Sequence, residues 1–298
     1  MRGEPRAAGA PTTRAPARET SRGPRACEVW GVLNVTPDSF SDGGRYLHLD
    51  DAVRQAARML EEGADVIDVG GESSRPPGVT YGAGYAPVSV DEERARVVPV
   101  VERLVRELGC RVSVDTVKPE VARAALDAGA RIVNDVSGAP ADALLDAVRD
   151  HGADLVVMHS RARGRVDAES TRYEDVVAEV RAELLREAER ALARGVPPGS
   201  IWIDPGVGFA KTARQSAALL GGLDALVRTG YPVLVGASRK SFIAEAVVAA
   251  GGAPPPPDAR LGGSLAAVVA AVTAGCRAVR VHDVFPSVQA ARVTEAMR

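Results

Sequence analysis

The 298-residue chain has few cysteines, few aromatic side chains and almost no excess of charge of either sign. Its cysteines, Cys27, Cys110 and Cys276, form no CxxC pair and no His/Cys ligand pattern. This spacing excludes a disulfide framework and predicts reduced thiols in a cytoplasmic protein. A formal net charge of −2 predicts neither a nucleic-acid partner nor a membrane-surface partner. The sequence also has no apolar run near the ~20 residues that cross a bilayer.

The first 26 residues differ in composition from the rest of the chain. They are rich in Ala, Arg, Pro and Gly and contain almost no large apolar side chains. A segment of this composition does not bury enough surface to offset the entropy cost of ordering it. We therefore expect a disordered tail over residues 1–26 and one domain over residues 27–298.

A short β-branched run, a polar cluster and a helix-length stretch follow one another repeatedly from Val29 onward. This alternation predicts a parallel sheet covered by helices, and eight units in roughly 270 residues favour an α/β fold of the (β/α)8 TIM barrel type. An open, doubly wound sheet is the alternative, because periodicity does not show whether a sheet closes. In the predicted helix Asp50–Glu62, we expect Val53, Ala57 and Leu60 to share the buried face. The predicted strands are Val29–Val35, Asp65–Val69, Arg111–Asp115, Arg131–Asn134, Asp154–Met158, Ile201–Asp204, Val233–Val235 and Ala278–Val281.

Polar residues stand at or just after the end of each predicted strand. One Asp or Asn in such a place is explained as the cap of the following helix. Because the strand ends of a barrel converge on one face, the same pattern at eight strands predicts a shared active site there. The residues are Asn34, Asp68, Asp115, Asn134 with Asp135, His159, Asp204, Ser238 to Lys240, and His282 with Asp283.

Seven segments together resemble the dihydropteroate synthases in order and approximate spacing. The resemblance covers about residues 28 to 298. It implies a (β/α)8 barrel of folate biosynthesis that joins a dihydropterin carrying a CH₂–diphosphate to p-aminobenzoate and releases pyrophosphate. It further implies the use of Mg²⁺, inhibition by sulfonamides and a homodimer formed through the last helices. The segments are "GVLNVTPDSFSDGG", "DVIDVGGESSRP", "VSVDTVKPEVARAAL", "RIVNDVSG", "IWIDPGVGFAKT", "PVLVGASRKSF" and "RVHDV".

The resemblance implies a metal and pyrophosphate site at the first and last strands. The family places Mg²⁺ at the residue matching Asn34, whose carbonyl oxygen suits a hard cation that keeps several waters. A turn-forming Asn before Thr-Pro is the alternative interpretation of Asn34. Arg280, His282 and Ser74 would donate hydrogen bonds to the phosphate oxygens.

The pterin ring would bind between residues of the middle strands. Asp204 would accept two parallel N–H bonds, Lys240 would donate to the O4/N5 edge, and Asn134 would donate and accept near N1. Met158 is assigned to the same pocket. Asp115 would face N8–H and stabilise positive charge as pyrophosphate leaves, in an SN1-like step. We therefore assign the catalytic roles to Asp115, Lys240 and Asn34.

The p-aminobenzoate ring would bind in a slot walled by Phe40, Pro76 and Phe209. Its carboxylate would meet Ser241 at the start of a helix, where free N–H groups attract anions. Arg75 is a predicted lid residue, since closing loops shield reactive cations from water.

Three segments depart from the family pattern. The second loop, Ser73–Glu92, is longer than usual, and "MHSRARG" from Met158 replaces the commoner "MHMRG". The proline run Ala253–Pro257 is expected to be an extended spacer. None of these departures removes a residue assigned above to the metal, pyrophosphate or pterin.

Two other functions share parts of this pattern. A barrel that passes a methyl group from a methyl-tetrahydrofolate to a corrinoid would keep the pterin residues, but it would not need "SRK" or "RVHDV" for pyrophosphate. A non-catalytic pterin-binding paralogue is the other alternative. Retention of Asn34, Lys240, Arg280 and His282 argues against it.

Overall fold

The structure is a computed structural model that describes residues 27–36, 45–72, 88–162 and 167–298, apart from the side chains of residues 45–48. The predicted tail, residues 1–26, and most of the long second loop lie outside the described residues. Four predicted site residues also lie outside them: Phe40, Ser74, Arg75 and Pro76.

Eight parallel strands form the centre of the molecule. They are β1 (Glu28–Asn34), β2 (Val66–Gly70), β3 (Arg111–Asp115), β4 (Ile132–Asp135), β5 (Asp154–Met158), β6 (Ile201–Asp204), β7 (Leu234–Val235) and β8 (Ala278–Val281). They pair in the order β6-β5-β4-β3-β2-β1-β8-β7. A parallel bridge between Ile203 and Val233 joins β6 to β7, and the Ile203 N–H donates to the Pro232 carbonyl at 3.0 Å. The predicted barrel is confirmed, and the open sheet is wrong.

Helices cover the outside of the barrel. They are α1 (Arg45–Glu61), α2 (Val90–Arg103), α3 (Pro119–Asp127), α4 (Asp142–His151), α5 (Val176–Ala193), α6 (Ala213–Gly221), α7 (Leu223–Val227), α8 (Ser241–Ala249), α9 (Leu261–Ala274) and α10 (Val284–Ala296). A π-helical turn, Leu104–Leu108, continues α2, and two 3₁₀ turns cover Pro198–Ser200 and Pro257–Ala259. Within the described ranges, no helix combines the length and apolarity needed to span a membrane.

The buried face of α1 differs from the predicted one. Val53 is buried as expected, but Ala57 and Leu60 are only partly buried. The helix instead turns Met59 toward β1, where a Cβ on Gly31 would lie only 2.9 Å from the Met59 Sδ. The long thioether fills the space that the glycine leaves. The fully buried face of the helix is Ala52, Val53, Ala56 and Met59.

The barrel interior is apolar at the bottom and polar at the top. The bottom layer is a buried cluster of Trp30, Val66, Ile132, Val156, Trp202, Leu234 and Ala278. The two tryptophan rings lie 5.4 Å apart between centroids. Because side chains alternate along a strand, the residue two positions further on also faces inward. In the same strands these upper residues are Val32, Asp68, Asn134, Met158, Asp204, Gly236 and Arg280. A rigid apolar layer therefore supports the polar groups.

Helix α9 packs closely against α8, the helix that begins at Ser241. A Cβ on Gly263 would lie 2.3 Å from Cγ2 of Ile243 and 3.1 Å from its Cγ1. A Cβ on Gly262, one position earlier in the same helix, would meet nothing within 4 Å. The close contact between α8 and α9 therefore requires a glycine at position 263 but not at position 262.

Replacing Gly263 by alanine is expected to destabilise the protein by about 1–3 kcal/mol, because overpacking pushes α9 away from α8. The matched Gly262→Ala change is expected to be neutral or stabilising by up to about 1 kcal/mol, since alanine favours the helix. Urea unfolding of both variants measures the difference. Equal free energies of unfolding would contradict the packing described.

Candidate functional site

Arg280 lies at the centre of a buried charge cluster above the apolar layer. Its Nε donates to Asp68 Oδ2 at 2.5 Å, and its Nη2 donates to Asp115 Oδ2 at 2.6 Å. Asn134 Nδ2 donates to the same oxygen of Asp68 at 3.4 Å. Asp68 was predicted to be a polar residue at a strand end, and no role was predicted for it. In the structure it orients two predicted substrate ligands, Arg280 and Asn134.

Asp115 is a carboxylate in a low-dielectric site. Its side chain is only 7% exposed. Burial raises the pKa of the Asp115 carboxyl, the charge of Arg280 opposes the shift, and the charge of Asp68 adds to it. Because electrostatic interactions strengthen as water is excluded, a cation arriving beside Asp115 would be strongly favoured.

Asp204 and Lys240 face one another across the barrel mouth. A Cβ on Gly236, between them, would lie 3.7 Å from Asp204 Oδ2 and 3.9 Å from the Lys240 Nζ. Burial raises the pKa of Asp204, which the charge of Lys240 opposes. Burial also lowers the pKa of Lys240 to about 8, which the charge of Asp204 opposes. The pair presents an acceptor and a donor to the same space.

The loop after β6 places Phe209 beside Lys240. The Lys240 Nζ lies 4.4 Å from the Phe209 ring centroid and donates to the Val207 carbonyl at 2.5 Å. Gly208 has a φ of 80°, and a Cβ there would lie 3.1 Å from the Lys240 Cδ. The glycine therefore allows the loop backbone to reach the lysine. Phe209 is partly buried and in place to form one wall of a slot.

The loops after β7 and β8 are tied together. The Ser238 Oγ accepts from the His282 N–H at 3.2 Å and lies 3.1 Å from the His282 Nδ1. Arg239 has a φ of 59°, unusual for a residue with a side chain, and its guanidinium donates to both oxygens of Asp283. These contacts fix the positions of His282 and Lys240 relative to each other. Ser241 begins α8 as predicted.

Asn34 stands at the exposed rim of the barrel. Strand register places Asn34 beside Gly70, and Gly70 beside Asp115. A Cβ on Gly70 would lie 3.7 Å from the Asn34 Oδ1 and 3.6 Å from the Asp115 Cβ, so the glycine leaves space next to the amide oxygen. The described residues contain no group of three or more His, Cys, Asp or Glu that could hold a metal. One neutral oxygen at the exposed end of β1 fits Mg²⁺ bound mainly by water and substrate.

The predicted site residues differ in how closely the structure brings them together. The inner group consists of Asp115, Asn134, Met158, Asp204, Lys240 and Arg280. Asn34, Phe209, Ser241 and His282 lie on the strand end or loops around it. Their contacts with substrate stay predictions. The arrangement combines a cation-stabilising carboxylate, a paired acceptor and donor, and basic groups, which suits a flat polar ring that carries an anionic group.

Comparison with known proteins identifies the family. Residues 30–282 match the family model described as pterin binding enzyme. Dihydropteroate synthase of Mycobacterium leprae is 50% identical over 273 residues, covering 90% of this chain and 93% of the relative. Xanthomonas albilineans dihydropteroate synthase with 4-aminobenzoic acid is 42% identical with a TM-score of 0.81, covering 91% of this chain and 93% of that one. The Yersinia pestis dihydropteroate synthase in a sulfonamide complex is 37% identical with a TM-score of 0.82. The match covers 95% of this chain and 98% of that one. The chain therefore belongs to the pterin-binding enzymes, among the dihydropteroate synthases.

Proposed function

We propose that the protein joins 7,8-dihydropterin-6-ylmethyl diphosphate to the amine of p-aminobenzoate, giving 7,8-dihydropteroate and pyrophosphate. The observation that carries this proposal is the convergence of Asp115, Asn134, Asp204, Lys240 and Arg280 above one apolar layer. The crystallised relative with bound 4-aminobenzoic acid supports the choice of the second substrate.

The pterin ring binds through hydrogen bonds that its two edges require. Asp204 accepts from the 2-amino group and N3–H, and Lys240 donates to O4 and N5. Asn134, oriented by Asp68, contacts N1 and the amino group. Burial makes each of these bonds more discriminating, because an unmatched ring would leave a buried polar group without a partner.

Asp115 stabilises the transition state of an SN1-like reaction. As the C–O bond to the diphosphate breaks, positive charge spreads over the methylene and the ring, and the bonding electron pair leaves with the diphosphate. The Asp115 carboxylate faces N8–H and is already fixed by Arg280, so no reorganisation is needed when the charge develops. The amine of p-aminobenzoate then forms the new C–N bond and loses a proton.

Arg280, His282 and Ser74 bind the diphosphate. Arg280 is shared between Asp68 and Asp115, which fixes its guanidinium through Nε and Nη2, and its Nη1 would donate to the diphosphate. Asn34 would hold Mg²⁺, which when bound neutralises the departing phosphate charge. The exposure of Asn34 at the end of β1 supports this assignment.

The p-aminobenzoate ring would lie against Phe209, and the sequence assigns Phe40, Pro76 and Arg75, outside the described residues, to the same slot. Ser241, at the first turn of α8, receives the carboxylate. Sulfonamides, which share the aniline ring and an acidic group, would compete for this slot. The sulfonamide complex of the Yersinia pestis relative supports this part of the proposal.

A second copy of the chain is the proposed partner, and the cytoplasm is the proposed location. Apolar side chains on α9 and α10 are exposed, including Phe285 at 55% and Val293 at 60%, and Met297 follows at 72%. Exposed apolar groups close together on two helices are typical of a protein interface. The three free thiols are compatible with a reducing compartment.

Purified protein is expected to release pyrophosphate only when the dihydropterin diphosphate and p-aminobenzoate are both present. Coupled detection of pyrophosphate, with chromatography of the pterin product, measures the reaction. Chelation by EDTA should lower the rate by at least about tenfold, and added Mg²⁺ should restore it. Folded protein that releases no pyrophosphate would instead favour a non-catalytic pterin binder or a methyl-transferring barrel.

Asp115→Asn is expected to lower kcat by about 10²–10³-fold, because the fixed negative charge beside the developing cation is lost. Calorimetric binding of the dihydropterin diphosphate should change much less. Asp154→Asn, the same substitution at the opposite end of the barrel, is the control and should leave kcat near wild type. Equal losses of kcat and pterin affinity in Asp115→Asn would contradict the transition-state role.

The kcat/KM for the dihydropterin diphosphate is expected to fall as the pH rises above about 8. Burial sets the pKa of Lys240 to about 8, so its ammonium is present below that pH and lost above it. Lys240→Arg keeps the charge at high pH. Its pH profile should lose the alkaline fall, although its absolute activity is lower. An unchanged alkaline fall in Lys240→Arg would assign the titration to another group.

A further inference from the structure

Lys211 is a buried ammonium that the reaction described above does not use. It is 8% exposed, and its Nζ contacts four acceptors. Three are carbonyl oxygens, of Phe209 at 2.9 Å, Gly206 at 3.1 Å and His159 at 3.3 Å, and the fourth is the His159 Nδ1 at 3.0 Å. None of the four acceptors carries a negative charge, so neutral dipoles make every direct contact, and the charges of Asp204 and Glu183 favour the ammonium from further away.

The loop after β6 is wound around this ammonium. Gly206 and Ala210 both have left-handed backbone, with φ of 63° and 46°. A Cβ on Gly206 would lie 1.9 Å from the His159 carbonyl oxygen, so the loop also touches the end of β5. This winding turns the carbonyls of Gly206 and Phe209 inward to Lys211, while the carbonyl of Val207 faces Lys240. Lys211 and Lys240 therefore hold one loop from two sides.

His159 must be neutral to accept from Lys211. Burial lowers its pKa to about 4, despite the opposing effect of Glu183. The His159 Nε2 lies 2.8 Å from Glu183 Oε2, which assigns its proton to Nε2 and leaves Nδ1 as an acceptor. Arg161 donates to Glu183 and stacks 4.0 Å above the Tyr173 ring. Arg161, from the unusual "MHSRARG" segment, thus helps through Glu183 to fix the imidazole that accepts from Lys211.

We infer that Lys211 is a positioning residue for the p-aminobenzoate slot, acting through the carbonyls of Gly206 and Phe209. This inference rests on the proposed function, because that function places the second substrate against Phe209. Without the ammonium, the carbonyls of Phe209 and His159 would lose this donor and that of Gly206 would keep the Phe209 N–H, so the loop would have to rewind. The Phe209 ring and the carbonyl partner of Lys240 would then move.

Loss of Lys211 should affect the binding of the two substrates to different extents. Asp115, Asn134 and Asp204 lie on strands, so a change in the loop leaves most pterin contacts in place. Phe209 lies on the loop itself, whereas the pterin residues Asp204 and Lys240 each contact the loop through a single backbone group, the Gly206 N–H and the Val207 carbonyl. Loss of Lys211 therefore weakens p-aminobenzoate binding more than pterin binding.

Lys211→Met, which keeps length and removes the charge, tests the inference. The KM for p-aminobenzoate should rise by about tenfold or more, and the KM for the dihydropterin diphosphate should stay within about twofold. Arg214→Met is the matched control, since it removes an exposed cation just after the same loop and should change neither constant. Hydrogen exchange of residues 205–212 should become faster in Lys211→Met only.

If Lys211→Met does not fold, His159→Gln provides the test, because it keeps the ammonium and removes one acceptor. A folded variant with both KM values near wild type, or with both raised equally, overturns the inference. Unchanged exchange of residues 205–212 also overturns it. An inactive wild-type protein would instead overturn the proposed function, and the exchange experiment would still decide the role of Lys211 in the loop.

Discussion

The ion pairs of Arg280 with Asp68 and Asp115 determine how the rest of the site is arranged. A buried carboxylate is costly unless a counter-ion or hydrogen-bond donors replace water, and here one guanidinium serves two carboxylates from neighbouring strands. Asn134 donates to the oxygen of Asp68 that also receives Arg280. Removing Arg280 would leave two buried carboxylates without their counter-ion. The groups proposed to recognise the pterin ring are therefore held in place by contacts within the protein.

The division of the barrel into an apolar bottom and a polar top explains why these charges are effective. The layer around Trp30 and Trp202 places apolar side chains directly beneath the site. Charges above it act in a low dielectric, where a fixed carboxylate interacts strongly with a developing cation. The same exclusion of water depresses the lysine pKa values, so Lys240 and Lys211 titrate near the physiological range. Stability and reactivity follow from one arrangement of layers.

Strand positions were predictable from the sequence to within one or two residues, because β-branched runs are bounded by polar tips. The closure of the sheet was favoured by the count of units, and the periodicity could not show it. The partners of individual side chains were harder to predict from the sequence. Nothing local indicates that Asp68 meets Arg280, 212 residues later, or that Lys211 meets His159, 52 residues earlier. The face of α1 was misjudged because the fit of Met59 against Gly31 depends on the neighbouring strand. The residues predicted for the second loop lie outside the described ranges.

Within the barrel, the backbone hydrogen bonding between neighbouring strands is sparsest between β6 and β7. Strand β7 has two residues, and the described backbone joins it to β6 through the bridge of Ile203 with Val233 and one hydrogen bond to Pro232. Where few backbone bonds hold, local opening costs least free energy. The loops carrying Phe209 and Lys240 leave from the two sides of this seam. Local opening of the barrel is therefore least costly on the side from which the loops carrying Phe209 and Lys240 leave.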